Sequence, residues 1–207
     1  MSKSDSKENV DISSSKSTVI VIGISGATRS GKGTLARNLV TYIGEEHCLC
    51  ICQDKFFDVE KIYAKLDGNW EIPEALKPEE FLKQISKMID SQKAKKSGKK
   101  YVIIEGFLAF TDSRICNLLD VMFWLDINKE VCYQRRMTTK RVPHDYFEQY
   151  LWPGHLQYKS NVFENAQLKQ RIVHIDGTLH ASKILDMALD TLQLRTPTEN
   201  GCTCVTT

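Results

Sequence analysis

The sequence lacks a strong net charge, a long apolar segment and any internal repeat. Its 207 residues carry 28 Lys and Arg against 26 Asp and Glu, so the field around the protein is weak and nucleic acid is not expected as its main partner. No apolar run approaches the length that crosses a bilayer, and no signal peptide is evident. We therefore expect a cytoplasmic protein with no membrane partner.

Seven cysteines are present, but a reducing cytosol argues against a disulfide framework. Cys48, Cys50 and Cys52 alternate with apolar residues, which places all three on one side of a strand and spaces them too regularly for a tetrahedral metal site. The pattern favours buried small residues. The C-terminal segment from Cys204 to Thr207 has a prenylation-like frame, but its polar third position and the lack of a polybasic neighbour argue against lipidation.

The length suits one well-buried domain, predicted at 18–194 between disordered polar tails at 1–17 and 195–207. Within it, strands are predicted at 18–24, 48–52, 101–104, 121–125 and 171–175, and helices at 32–43, 78–91, from 128, and at 179–194. The strand runs are rich in Val and Ile without strict alternation, as in strands buried on both faces. The pattern predicts an α/β fold in which a parallel sheet lies between two helical layers. The basic run 93–100 is interpreted as a solvated loop.

The most informative segment lies between the first strand and the first helix. A strand, a glycine-rich turn and a helix N-terminus in this order form a nest of backbone N–H groups for polyphosphate, and the lysine adds a charge at the β and γ phosphates. The segment is Gly26, Ala27, Thr28, Arg29, Ser30, Gly31, Lys32, Gly33 and Thr34. Gly33 stands where Ser or Thr usually ligates Mg²⁺, so Thr34, one place later, is the candidate hydroxyl ligand.

Two acidic residues follow strands that should end at the same sheet edge as this loop. Asp54 follows the second strand and suits a base for an attacking hydroxyl or a metal-linked carboxylate, although a turn aspartate would look the same. Glu105 closes the third strand before Gly106, an arrangement typical of a carboxylate beside Mg²⁺. The pair predicts phosphoryl transfer to an alcohol.

Two further segments carry weaker signals. The helical stretch 131–141 contains Arg135 and Arg136 and suits a basic lid over the transferring phosphate, with a solvated basic face as the alternative. The segment 176–180, with Leu179 and His180, suits a loop that holds adenine, and a plain turn with a helix cap fits equally.

These motifs, in this order, resemble the nicotinamide riboside kinase family within the uridine kinase-like branch of P-loop kinases. The resemblance covers about 18–192, and its discriminating segment is Asn69-Trp70-Glu71-Ile-Pro-Glu74-Ala-Leu76. It implies a P-loop kinase fold with a five-stranded parallel sheet and a small lid at about 133–147. It also implies a kinase that uses ATP and Mg²⁺ to phosphorylate the 5′-hydroxyl of nicotinamide riboside, or of nicotinic acid riboside, in NAD synthesis. The implied partner is a small nucleoside, and the implied protein is a monomer or a weak homodimer.

The resemblance also implies roles for single residues. Asp54, Lys32 and Arg136 are implied in catalysis, and Asp54, Glu105 and Thr34 in metal binding. Trp70 would pack on the nicotinamide ring and Glu71, where the family has Asp, would grip the ribose hydroxyls; Tyr146 is a candidate for a second aromatic on the ring. Arg135 would meet the ATP phosphates and Arg136 the nucleoside. Lys55, Phe56 and Phe57 belong to the implied substrate motif.

Two rival functions remain open from sequence. A uridine or cytidine kinase would share the fold and chemistry, and Trp70 is the residue that distinguishes a cationic ring from a neutral one. A nucleotide-binding protein without phosphoryl transfer is the second rival, with Gly33 as its only support.

Overall fold

A computed structural model of the protein describes residues 18–95, 98–139 and 142–194. The predicted tails, the prenylation-like end at Cys204, and Lys140 and Arg141 of the basic segment lie outside these residues. The strands are β1 Val19–Gly26, β2 Cys48–Cys52, β3 Lys100–Glu105, β4 Val121–Asp126 and β5 Ile172–Asp176. The helices are α1 Lys32–Ile43, α2 Val59–Lys65, α3 Pro78–Lys93, α4 Ser113–Cys116, α5 Lys129–Thr139, α6 His144–Tyr146, α7 Trp152–Glu164, α8 Ala166–Arg171 and α9 Ala181–Thr191.

The strands form one five-stranded sheet in the order β2-β3-β1-β4-β5, and every pairing is parallel. From β1 the chain crosses toward one edge of the sheet to reach β2, and from β3 it crosses toward the other edge to reach β4. In sheets of this kind a crevice opens at the carboxyl ends of the strands where the direction reverses. Here those are the ends of β1 and β3, which carry the glycine-rich turn and Glu105.

Helices cover both faces, so the predicted three-layer α/β fold is confirmed. One apolar cluster lies under α3 and α7 and includes Phe81, Trp124 and Tyr158. The other lies under α1 and α9 and includes Leu39 and Phe123. Phe123 and Trp124 are neighbours in β4 and have no exposed surface, which explains the continuous apolar runs of the strands. Burial of each large side chain contributes about 1.5–3 kcal/mol.

The five strands and the helices α1, α3, α5 and α9 were predicted and differ from the prediction at their ends, whereas α2, α4, α6, α7 and α8 were not predicted. β1 continues to Gly26 rather than Ile24, and α9 is confined to Ala181–Thr191. The long helix α7 was not predicted, because Pro153 and Gly154 in its first turn read as a loop signal. Proline is tolerated there because the first N–H groups of a helix have no partner within it.

Two burial predictions are wrong. Cys48 is buried, but Cys50 is exposed and Cys52 is half-buried, in a strand that lies at the edge of the sheet. Lys100 of the basic run is buried at the start of β3, where its Nζ lies 2.6 Å from Nδ1 of His47. Among the described cysteines, none is paired in a disulfide. Within the same ranges, no helix combines the length and apolar character needed to cross a membrane.

Candidate active site

The turn between β1 and α1 has the backbone of an anion-binding loop. Gly26 and Gly31 have φ of 133° and 106°, values that side chains rarely allow. A Cβ on Gly26 would also collide with the carbonyl oxygen of Leu125 in the neighbouring strand. Helix α1 begins at Lys32 with no side-chain cap and no acidic residue in its first turn. Its first N–H groups and its dipole are therefore directed at the crevice, which favours an anion there.

Lys32 is folded over this loop. Its side chain is only 8% exposed, and its Nζ donates a hydrogen bond to the carbonyl oxygen of Ala27 at 2.6 Å. Burial lowers the pKa of the Lys32 ammonium, and the nearby carboxylates of Glu105 and Asp54 act against that change. The lysine is thus a cation in a partly dry site next to two carboxylates, where a phosphate would add compensating charge.

The two carboxylates are positioned by adjacent strands. Glu105 ends β3 and pairs in register with Cys52 of β2 and Ile24 of β1. Asp54 lies in the 3₁₀ turn Gln53–Phe56 that follows β2 directly. Both face the crevice that contains Lys32. The sequence predicted that both carboxylates would lie at this edge of the sheet.

Gln53 ties the ends of β2 and β3 together, a role that sequence reasoning missed. Its side chain is buried, and its Oε1 accepts a hydrogen bond from the Leu108 N–H at 3.0 Å. A Cβ on Gly106 would collide with the same amide group. Gly106 therefore leaves room for Gln53. The only sequence signal was the position of this glutamine before Asp54.

A cavity of about 1040 Å³ opens above these residues. It brings together most of the predicted site: Thr28, Arg29, Gly31, Lys32, Gly33, Thr34, Asp54, Phe57, Trp70, Glu71, Glu105 and Arg136, and also Tyr146. Gly26, Ala27, Ser30, Lys55, Phe56, Arg135, Leu179 and His180 are not part of its lining. The lining includes residues that were not predicted, among them Arg37, Tyr63, Asp67 and Phe107.

One end of the cavity is aromatic. The Trp70 ring lies 5.4 Å from Phe57 and 6.1 Å from Tyr63, and Phe57 stacks on Phe107 at 5.6 Å. Phe57 is nearly buried while Tyr63 is 69% exposed. Trp70 therefore packs against the buried Phe57 and against the exposed Tyr63. A flat ring could lie against the part of the indole that faces the cavity.

Glu71 lies beside Trp70 in an unusual electrostatic environment. The Glu71 Oε1 accepts a hydrogen bond from the Tyr146 hydroxyl at 3.2 Å. The same hydroxyl oxygen accepts a hydrogen bond from the backbone N–H of Trp70 at 3.2 Å. Burial raises the pKa of the Glu71 carboxyl to about 7, and Asp54 adds to the rise, while Tyr146 and Arg136 oppose it. Burial, with the nearby Arg29 guanidinium, lowers the pKa of Arg136. Polar groups are thus concentrated between the aromatic end and the phosphate loop.

Several of the predicted residues outside the cavity lining contact other parts of the protein, and their predicted site roles stay predictions. Arg135 Nη1 donates to the carbonyl oxygens of Arg29 at 3.2 Å and Gly177 at 2.8 Å, which links the phosphate loop to the loop after β5. Phe56 packs on Phe81 at 4.8 Å, toward the core. His180 caps the N-terminus of α9. Lys55 is exposed.

The donor set at the strand ends suits a magnesium ion. Asp54, Glu105 and Thr34 offer oxygen ligands around one part of the cavity, and Mg²⁺ typically binds one or two carboxylates together with substrate phosphates and waters. No group of three or more metal-ligating side chains is preassembled among the described residues. A Cβ on Gly33 would lie 3.9 Å from Glu105 Oε1, so the missing Ser or Thr hydroxyl leaves space beside this carboxylate.

Comparison with known proteins identifies the family. The Phosphoribulokinase / Uridine kinase family matches residues 74–142. Nicotinamide riboside kinase 1 of Homo sapiens is 34% identical over 172 residues, which cover 76% of this chain and 84% of the human protein. The chain belongs to the nicotinamide riboside kinase family. Nicotinamide riboside kinase 2 of Homo sapiens is 25% identical over 191 residues, which cover 84% of this chain and 81% of that protein.

The chain is also similar to kinases outside the nicotinamide riboside kinase family. A uridine kinase of Borrelia duttonii is 30% identical over 140 residues, or 58% of this chain and 66% of that protein. Among solved structures, a gluconokinase from Sinorhizobium meliloti superposes with a TM-score of 0.56 at 16% identity, over 84% of this chain and 92% of the other. A possible uridine kinase from Bacillus stearothermophilus gives a TM-score of 0.51 at 20% identity, over 77% and 90% of the two chains. These two structures share the fold.

Proposed function

We propose that the protein transfers the γ-phosphoryl group of ATP to the 5′-hydroxyl of nicotinamide riboside, which yields the mononucleotide and ADP. The observation that carries the proposal is a single cavity with a phosphate-binding loop at one end and Trp70 with Glu71 at the other. Asp54 lines the same cavity as Lys32 of that loop. Similarity to the human nicotinamide riboside kinases supports the choice of substrate.

The aromatic end suits the nicotinamide riboside ring because that ring is cationic. The face of an indole attracts a cation by about 0.5–2 kcal/mol beyond simple burial. Glu71 would accept hydrogen bonds from the ribose hydroxyls, and an ionised acceptor makes such bonds stronger than neutral ones. A bound cation would also favour the charged form of Glu71 and so oppose the raised pKa of its carboxyl.

Catalysis would consist of positioning and electrostatics. Asp54 would orient the 5′-hydroxyl and accept its proton, Lys32 would neutralise charge on the transferring phosphoryl group, and Arg136 would contact it from the lid side. Asp54, Glu105 and Thr34 would hold Mg²⁺. When bound, the ion would supply positive charge that offsets the charge developing on the phosphate oxygens.

The test is an ADP-release assay over nicotinamide riboside, nicotinic acid riboside, uridine and cytidine, with and without Mg²⁺. We expect turnover with nicotinamide riboside that requires Mg²⁺. Asp54→Ala should lower kcat by about 10²-fold or more while ATP binding stays within a few-fold. An Asp54→Ala variant that keeps most of its turnover would remove Asp54 from the role of base.

Trp70→Leu separates the proposal from the uridine kinase alternative. Loss of the cation–π contribution should raise the KM for nicotinamide riboside about 2- to 30-fold relative to the KM for uridine. Equal losses for both nucleosides, or a wild type that prefers uridine, would favour the pyrimidine nucleoside kinase. ATP hydrolysis that no nucleoside stimulates would favour a nucleotide-binding protein without transfer.

A further inference from the structure

The turn that precedes Trp70 is held by a tyrosine from another part of the chain. The Tyr150 hydroxyl donates a hydrogen bond to Asp67 Oδ2 at 3.1 Å, across 83 residues of sequence. One turn earlier, the Tyr146 hydroxyl contacts Glu71 and the Trp70 N–H. The two tyrosine rings lie 5.4 Å apart. The segment 67–71 is thus attached near both of its ends to residues 146–150, at the end of the predicted lid and just after it.

The turn has a backbone that needs such support. Asp67 has φ of 52° and Gly68 has φ of 70°, and a left-handed residue other than glycine costs about 1 kcal/mol. The Gly68 N–H donates to the Ile62 carbonyl at 3.0 Å and the Asn69 N–H to Leu66 at 2.8 Å. These bonds close the turn locally, and the Asp67 carboxylate accepts its hydrogen bond from Tyr150.

Asp67 brings a negative charge to the aromatic end of the cavity. Asp67, Gly68, Tyr63 and Trp70 all line it. Of the cations in the lining, Arg29, Lys32 and Arg37 belong to the phosphate loop and α1, while Arg136 of α5 interacts with Glu71. A ring that lies against Trp70 would therefore share the cavity with the Asp67 carboxylate as well as with Glu71.

We propose that Asp67, positioned by Tyr150, is a specificity-determining residue that favours a ring with a neutral amide substituent over a ring with a carboxylate. This inference rests on the proposed function, because it assumes that a pyridinium riboside occupies the cavity. The cationic ring is attracted by the Asp67 carboxylate, while the substituent of nicotinic acid riboside is repelled by it. Asp67 is exposed, so the discrimination is modest, about two- to fivefold.

The experiment compares kcat and KM for nicotinamide riboside and nicotinic acid riboside in the wild type, Asp67→Asn and Tyr150→Phe. Asp67→Asn should raise the KM for nicotinamide riboside about two- to fivefold and leave unchanged or lower the KM for nicotinic acid riboside. Tyr150→Phe, which frees the carboxylate without removing it, should shift the KM ratio in the same direction by less. In both variants kcat and the KM for ATP should stay near wild type.

Asp145→Asn is the matched control, because Asp145 is an exposed carboxylate in α6 that does not line the cavity. It should leave the KM ratio unchanged. Equal KM increases for both ribosides in Asp67→Asn would mean that Asp67 only supports the turn, and would overturn the inference. An unchanged ratio of the two KM values would also overturn the inference. The wild-type protein distinguishes failure of the proposed function from failure of this inference. If it does not phosphorylate nicotinamide riboside, both fail. If it does, the ratio of the KM values for the two ribosides alone decides the role of Asp67.

Discussion

Replacement of Glu71 by Gln should stabilise the protein at neutral and alkaline pH. Burial raises the pKa of the Glu71 carboxyl from 4.5 to about 7, so the folded protein holds this proton more tightly than the unfolded chain does. Between these two values the unfolded state is ionised and the folded state is protonated. Ionisation of Glu71 therefore costs stability, and the full cost is present above pH 7 and absent below about pH 4.5.

The size of the effect follows from the same two pKa values. A rise from 4.5 to about 7 corresponds to about 3 kcal/mol at 1.36 kcal/mol for each tenfold change. Glu71 lines an open cavity and is partly exposed, so screening by water reduces this to about 1–2 kcal/mol. Gln keeps an oxygen that accepts the hydrogen bond from Tyr146, which limits the loss of other contacts.

The assay is urea unfolding of wild type and Glu71→Gln without ligands, from pH 5 to pH 8.5. The variant should be more stable by about 1–2 kcal/mol at pH 8, and the difference should shrink toward zero near pH 5. Glu74→Gln is the control, because Glu74 is exposed in the neighbouring 3₁₀ turn, and it should show no such trend. In the enzyme assay, Glu71→Gln should raise the nucleoside KM about tenfold, since neutral acceptors bind hydroxyls less strongly.

The reasoning is refuted if Glu71→Gln destabilises the protein at pH 8 or changes its stability equally at every pH. Either result would mean that the carboxylate is satisfied by its neighbours in the folded state. A stabilised variant with weaker nucleoside binding would instead show that Glu71 is retained for its function at a cost in stability.

Two further variants test the loop and the core. Gly33→Ser should fit, since a Cβ there would lie 3.9 Å from Glu105 Oε1. We expect an equal or slightly higher Tm, because Ser favours a helix over Gly by about 0.5 kcal/mol, and half-maximal activity at a lower Mg²⁺ concentration. A higher Mg²⁺ requirement would contradict the placement of the metal. Tyr158→Phe removes a buried hydroxyl that accepts a hydrogen bond from the Phe110 N–H at 2.8 Å and lies 2.9 Å from Ser25 Oγ. It should lower the unfolding free energy by about 1–3 kcal/mol, while Tyr42→Phe at an exposed site should change it by less than about 0.5 kcal/mol; equal effects in urea unfolding would argue against the buried network.

Much of the fold follows from local sequence patterns. The strands are continuous apolar runs because both faces of the sheet are covered, and α1 follows from the spacing of Leu35, Leu39 and Ile43. Burial at the edge of the sheet does not follow from such patterns. Cys50 shares a face with Cys48 and is nevertheless exposed, because helix placement over β2 is a tertiary property.

The site divides in the same way. Asp54, Glu105 and the glycine-rich loop could be brought together from sequence because parallel strands end at a common edge. Asp67 and Tyr150 could not, since their contact spans 83 residues and neither side chain belongs to a motif. The hydrogen bonds that Arg135 donates to two backbone carbonyls could not be predicted either, because they join loops far apart in sequence; its contact with the ATP phosphates stays a prediction.

The buried amide of Gln53 has a consequence for how the enzyme can move. By bonding to Leu108 and filling the space above Gly106, it keeps the 3₁₀ turn of Asp54 and the strand end of Glu105 from shifting independently. We therefore expect the two carboxylates to keep a fixed spacing, and any opening of the cavity to occur between the segments around Trp70 and Tyr146, which meet through side-chain hydrogen bonds.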